Sequence, residues 1–275
     1  MQRMLLSVCS LLVFVTGFAM AQPEGARGTG TPDDPFVREP DPRAIQRTYY
    51  YKEAGKDMPY VLYVSSKVDP ATPAPLIIAL HGMGGDGNFL LRDRLIDLAE
   101  EGGYIVAAPM GYHVAGWYGS PVITIPRGTP VEPPNLAELS EGDVMNVLDI
   151  VRSEFKTDPD RTYLMGHSMG GAGTFYLGMK HPELWAAIAA IAPASFLVEK
   201  DRIANIADMP VFLIHGVKDP AVPLAEAHKW VEAMRANDMD FEYQEIGQGD
   251  HGNVIGLGMP DIFEFFAGYS KHGDE

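Results

Sequence analysis

From residue 73 onward, short apolar runs alternate with longer stretches of helical periodicity. The runs are LIIAL (76–80), YIVAA (104–108), TYLMG (162–166), AAIAAI (186–191), VFLIHG (211–216) and FEYQEI (241–246). Continuous apolar runs of this length are those of strands buried on both faces of a parallel sheet. Between them, 88–101, 140–155, 170–181, 224–237 and 260–269 predict helices, with Ser140 and Asp143 at the spacing of a capping box. Ahead of them, RTYYYKE and YVLYVSS flank AGKDMP and predict an antiparallel hairpin at the sheet edge. The pattern implies an α/β fold with a mostly parallel central sheet, helices on both faces and an N-terminal antiparallel hairpin. In such a sheet ligand chemistry gathers at the carboxyl ends of the strands.

The first 44 residues do not share this pattern. MQRMLLSVCSLLVFVTGFAMA carries a basic start at Arg3, a short apolar run and Ala19-Met20-Ala21. It reads as a signal peptide over residues 1–21, cut before Gln22, which implies a secreted or periplasmic protein; the apolar run is short for a retained membrane anchor. Residues 22–44, rich in Pro, Gly and Asp, read as a loosely ordered leader, and 45–275 as one domain. Cys9, the one cysteine, falls in the signal segment, so no disulfide or cysteine metal site is expected downstream. A net charge of −16, with no Lys/Arg block, argues against nucleic acid as a partner.

The strand-end rule directs attention to GHSMG (166–170), in which Ser168 follows TYLMG and precedes a predicted helix. That strand-turn-helix setting is what a nucleophile elbow requires. A serine hydroxyl needs a base, and the base needs an orienting group. Asp219 follows VFLIHG, where its carboxylate can accept the Nδ1 proton of an imidazole. His251, in the loop GQGDHGNVIG after the last strand, is the candidate base. Asp208 lies at the wrong end of its strand, and Asp250 adjoins the base itself. Among the other histidines, His167 is the variable position of the elbow, His215 sits at a strand end as a packed or hydrogen-bonded residue, His181 ends a helix, and His81 shapes a loop.

An oxyanion needs preorganised donors. HGMGGDGN follows LIIAL, and the backbone N–H groups of Met83 and of Met169, the residue after the nucleophile, are the candidates. The loop has neither the Lys-Ser/Thr of a phosphate-binding P-loop nor the G-x-G-x-x-G spacing. With no H-E-x-x-H or comparable ligand spacing, no metal and no cofactor are expected.

LHGMGGDG, GHSMGGAG, HGVKDPAVP and GDHG, in this order, make the chain resemble the α/β-hydrolase superfamily over about residues 47–268. It is similar to secreted esterases related to feruloyl esterases, polyhydroxyalkanoate depolymerases and prolyl-oligopeptidase-like peptidases. The resemblance implies that Ser168 forms an acyl-enzyme, that His251 protonates the leaving alcohol and then activates water, and that Asp219 orients His251.

Substrate information concentrates in residues 110–139, too long for an ordinary connection. Tyr112, Trp117 and Tyr118 are candidates to stack on an aromatic or sugar group, or else to pack the loop onto the domain, and Phe196 is a candidate pocket wall. The leading expectation is a serine carboxylic-ester hydrolase acting on small or aryl esters, with a short-peptide peptidase, a polyester depolymerase and a catalytically silent binding module as alternatives.

Overall fold

The structure, a computed structural model, describes residues 27–29, 31, 34–124 and 128–272. The expected signal peptide, with Cys9, lies outside the described residues. Eight strands form one sheet: β1 (Ile45–Tyr51), β2 (Lys56–Val64), β3 (Ala74–Leu80), β4 (Ile105–Pro109), β5 (Thr157–His167), β6 (Ala187–Ile191), β7 (Val211–Gly216) and β8 (Phe241–Ile246). Their spatial order is β1-β2-β4-β3-β5-β6-β7-β8. β1 pairs antiparallel with β2, β2 antiparallel with β4, and every other pair is parallel. This is the fold that the sequence pattern predicts, with the hairpin at one edge.

Strands β3, β4, β6 and β7 are buried along their whole length, and β5 from Thr162 onward, because helices cover both faces. Leu76, Ile78 and Leu80 of β3 face a core shared with α2 (Leu136–Glu154), α3 (Met169–Lys180) and α4 (Leu224–Ala236). Ile77 and Ala79 face the opposite core, shared with α1 (Asp93–Gly102) and α5 (Val254–Ala267). Alternate residues of one strand therefore serve two cores, which is why the run reads as continuous in the sequence.

Three helix expectations need correction. The 88–101 stretch divides into a 3-10 turn at Gly87–Phe89 and α1, which starts only at Asp93. α2 begins at Leu136, so Ser140 and Asp143 lie inside it and form no capping box. Both are buried, and they hold the loop after β4 instead: the Ser140 hydroxyl donates to the Gly111 carbonyl at 2.7 Å and accepts from the Tyr118 N–H at 2.8 Å. α5 begins six residues before Pro260 and runs through it. Burial of Val254, Met259, Ile262, Phe263 and Phe266 against the sheet outweighs the local propensity of two glycines and a proline.

The described residues of the leader make defined contacts with the domain. Phe36 is buried, its N–H donates to the Gly84 carbonyl at 2.6 Å, and the Arg38 guanidinium lies 4.8 Å from the Phe89 ring centre. The described part of the leader is thus docked on the glycine-rich loop after β3.

Trp117 and Tyr118 face inward, at 3% and 0% exposure, so packing the loop onto the domain is the role that holds and ligand stacking is not. Both have positive φ, 63° and 51°, which turns the rings into the crevice beside α2 and α3. There the Tyr118 hydroxyl donates to the His81 carbonyl at 3.3 Å, and its ring meets the His81 ring edge-on at 5.6 Å. Replacing Tyr118 with Ala is expected to lower unfolding free energy by about 3–5 kcal/mol, as for other buried aromatics. Urea titration measures this: an unchanged midpoint with a raised KM would return the ring to a ligand-facing role.

Candidate active site

The chain leaves β5 and enters α3 through Ser168, whose backbone sits at φ 56°, ψ −113°. That is unfavourable for a residue with a Cβ and persists only where surroundings impose it. Here the Ser168 N–H donates to the Ile191 carbonyl at 2.9 Å, and its own carbonyl accepts from Ala172 at 3.0 Å and Ala194 at 2.9 Å. The flanking glycines are required by close approach: a Cβ on Gly166 would collide with the Gly170 carbonyl, and one on Gly170 with the Leu80 carbonyl. The turn is therefore wedged between β3 and β6, with the serine side chain at the carboxyl edge of the sheet.

Ser168 Oγ lies 2.9 Å from His251 Nε2, and His251 Nδ1 lies 2.7 Å from Asp219 Oδ2. The three residues expected from the sequence are brought together in the order of a nucleophile, a base and an orienting acid. The other oxygen of Asp219 accepts from the N–H groups of Ala221 at 2.8 Å and Val222 at 2.9 Å. Burial disfavours the charged carboxylate, but the bonds from His251, Val222 and Ala221 outweigh it and hold the carboxyl below its ordinary range. With Asp219 ionised, the His251 proton is fixed on Nδ1 and the Nε2 lone pair faces the serine.

Two other buried histidines, His215 and His81, lie against the loops around this arrangement. His215 Nε2 donates to the Val222 carbonyl at 2.9 Å and lies 3.5 Å from Asp219 Oδ2, bracing the turn that carries the acid. Burial lowers its pKa, so it is a neutral neighbour. Burial lowers the pKa of His81, whose ring nitrogens lie 2.7 Å from the Gly82 carbonyl and 2.9 Å from the Met110 carbonyl, between the loops after β3 and β4. His81 shapes the loop, as expected. His181 pairs with Glu141 at 2.8 Å, away from the serine.

In the loop after β3, the Gly84 N–H is taken by the Val114 carbonyl at 2.7 Å and the Gly85 N–H by the Gly82 carbonyl at 3.1 Å; the Ser168 N–H is likewise engaged. Among the described residues neither the Met83 nor the Met169 N–H has a hydrogen-bond partner. Met169 N–H is also at the first position of α3, where the helix dipole favours negative charge. Among the described residues no group of three or more His, Cys, Asp or Glu side chains could hold a metal ion.

A family model described as "Putative esterase" matches residues 52–251, which span the elbow, the acid and the base. The chain belongs to this esterase family. "Putative esterase NocK" of Nocardia uniformis subsp. tsuyamanensis is 28% identical over 194 residues, 69% of this chain and 53% of that protein. Feruloyl esterase B of Neurospora crassa is 30% identical over 141 residues, 49% of this chain and 44% of that protein. The chain thus spans about half the length of these curated relatives. Of solved structures, a thermostable esterase matches at 25% identity with a TM-score of 0.65, covering 83% of this chain and 63% of that one. A feruloyl esterase module from Clostridium thermocellum, complexed with sinapinate, matches at 18% identity with a TM-score of 0.62, over 86% of this chain and 92% of that one. At that identity the likeness speaks for the α/β-hydrolase fold.

In this esterase-family chain the two remaining substrate candidates differ. Phe196 is exposed, in a turn two residues beyond Ala194, the residue bonded to the Ser168 carbonyl. Lys200 Nζ bonds the Ser195 and Val198 carbonyls at 2.7 and 3.3 Å, and Trp230 Nε1 donates to Ser195 Oγ at 2.6 Å, so the turn presents Phe196 from a fixed base. Tyr112 is half-buried, with Lys56 Nζ 4.0 Å from its ring centre. Its backbone is fixed by a residue whose role was not legible in the sequence. Asp143 Oδ2 accepts from the N–H groups of Gly111 at 2.6 Å and Tyr112 at 3.1 Å, while Oδ1 accepts from the Tyr49 hydroxyl at 2.5 Å. Burial pushes the Asp143 carboxyl up, against the pull of these donors. An amide reproduces one acceptor oxygen but not two, so Asp143→Asn is expected to cost about 1–3 kcal/mol in urea unfolding. A neutral result would show that Asp143 does not hold the loop after β4.

Proposed function

We propose that the chain is a serine carboxylic-ester hydrolase that uses Ser168, His251 and Asp219 as nucleophile, base and orienting acid. The single observation that carries this is the continuous bonded line Asp219 Oδ2, His251 Nδ1, His251 Nε2, Ser168 Oγ, with the serine held in a positive-φ turn. Membership in the esterase family supports the reading.

In the proposed reaction, Ser168 Oγ attacks the ester carbonyl carbon while its proton passes to His251 Nε2. The imidazolium that forms is stabilised by the Asp219 carboxylate. Charge gathering on the carbonyl oxygen is met by the N–H groups of Met83 and Met169. Collapse of the tetrahedral intermediate breaks the bond to the alcohol, which leaves with the proton from His251. Water then gives its proton to Nε2, attacks the acyl-serine, and the second collapse releases the acid and restores Ser168.

Small or aryl esters, including feruloyl-type esters, are the proposed substrates. The exposed aromatic ring of Phe196 on its braced turn beside Ser168 supports an apolar group at that end of the site, and so does similarity to proteins named feruloyl esterase B. We also propose that residues 45–275 form the hydrolase domain and that the chain is exported through its N-terminal signal. Among the described residues, no helix is long and apolar enough to cross a membrane.

Ser168→Ala is expected to reduce p-nitrophenyl acetate turnover by about a millionfold, and Asp219→Asn by about ten-thousandfold, with circular dichroism unchanged. Full turnover by Ser168→Ala would remove the serine from the mechanism. Because Asp219 is held below the ordinary carboxyl range, it stays ionised as acid is added, and the loss of kcat/KM at low pH follows protonation of the imidazole. A profile flat to about pH 4 would contradict the role given to His251. Chromogenic peptide amides should turn over far more slowly than aryl esters; the reverse preference would make the enzyme a peptidase.

A further inference from the structure

His167 occupies the variable position of the elbow, and the reaction as described makes no use of it. It is a costly residue there. The side chain is fully enclosed, and its Nδ1 is buried with no hydrogen-bond partner. A buried ring nitrogen without a partner is a net cost to folding, so a phenylalanine of similar shape would serve better if the position only filled space. The ring does fill space well: it stacks on Phe89 at 5.7 Å and 18°, and it lies 4.6 Å from the His251 ring. A Cβ on Gly82 of the oxyanion loop would come within 3.0 Å of Nδ1, so the unpartnered nitrogen is pressed against that loop's backbone. What the histidine adds over a plain ring is its Nε2–H, which donates to the main-chain carbonyl of His251 at 2.7 Å.

We infer that His167 is a positioning residue for the general base, tying the backbone of His251 to the nucleophile elbow through this bond. The inference rests on the proposed roles of Ser168 and His251. His251 is carried on a turn held by bonds within itself and by the Lys218 N–H, which donates to the Gly249 carbonyl at 2.9 Å from the turn after β7. Asp250 Oδ1 accepts from Gly252 at 2.9 Å and Asn253 at 2.8 Å, and Asn253 Oδ1 accepts from the Asp250 N–H at 2.7 Å. Those bonds shape the turn and tie it to the end of β7, but none of them reaches the elbow. The bonds from the imidazole to Asp219 and Ser168 are the ones that must shift as the proton moves. The His167 bond joins main chain to the residue beside the nucleophile and does not change during turnover. It therefore fixes Nε2 relative to Oγ while the side-chain bonds rearrange. Burial and the neighbouring His251 keep His167 itself neutral, consistent with one donating and one bare nitrogen.

The test compares two substitutions in the full chain with p-nitrophenyl acetate. His167→Phe keeps a ring against Phe89 and removes the donor. His167→Gln places an amide N–H near the Nε2 position. The expected result is a fall in kcat of about 10- to 100-fold for His167→Phe with KM unchanged, since a displacement of about 1 Å at the reacting groups has effects of that size. His167→Gln is expected to recover most of the lost kcat. Thermal unfolding of each variant is recorded alongside, and rates are measured well below both midpoints. If His167→Phe keeps wild-type kcat, or if both substitutions lose kcat equally, the positioning role is overturned. If the wild-type chain does not hydrolyse the ester, or Ser168→Ala does so equally well, it is the proposed function that fails, and the two failures are distinguishable.

Discussion

Ser168 is held in a backbone conformation that the rest of the molecule has to enforce. A residue at φ 56°, ψ −113° relaxes unless its neighbours leave it no alternative. The parallel pairing of β3, β5 and β6 supplies that enforcement by bringing the Leu80 and Ile191 ends against the turn, where the Gly166–Gly170 approach admits no Cβ. Two buried cores fix those strands, and so the interior far from the serine determines where its oxygen points. The strain and the packing are thus one feature seen at two scales.

The same economy extends to the groups around the serine. Each of these groups hangs from the end of another strand of the same sheet: the glycine-rich loop from β3, Asp219 from β7 and His251 from the turn after β8. Small polar contacts then brace each loop to the next. His81 lies between the loops after β3 and β4, His215 braces the turn that carries Asp219, Asp143 holds the loop after β4, and His167 bonds the His251 carbonyl from the elbow. These buried groups are largely neutral or bonded on every acceptor, so they add rigidity without adding competing charges to the site.

The parts of this arrangement legible in the sequence are those with local signals. Strand runs, the glycine-flanked serine and the strand-end positions of Asp219 and His251 depend on residues near one another in the chain. Long-range contacts decided the rest. Asp143 looked like a helix cap because its true partners, Tyr49, Gly111 and Tyr112, lie 94, 32 and 31 residues away. Trp117 and Tyr118 stayed open between stacking on a ligand and packing the loop, because an aromatic pair in a long loop reads the same whether it turns outward or inward; the positive φ angles that turn it inward have no signature in these residue types. Pro260 and its neighbouring glycines looked like a helix boundary because the burial that carries α5 through them is contributed by the sheet. His167 had a motif but no visible partner, since the carbonyl it meets is 84 residues on.

The central claim is that one serine, in this turn, is chemically activated by the line of side chains behind it. Reaction of the native chain with a fluorophosphonate, followed by proteolysis and mass spectrometry of the peptides, addresses that claim without assuming any substrate. The account predicts one phosphonyl adduct per chain, on the peptide containing Ser168, and no adduct when the chain is unfolded in urea before reaction. Labelling of another serine, or equal labelling of the folded and unfolded chain, would contradict it.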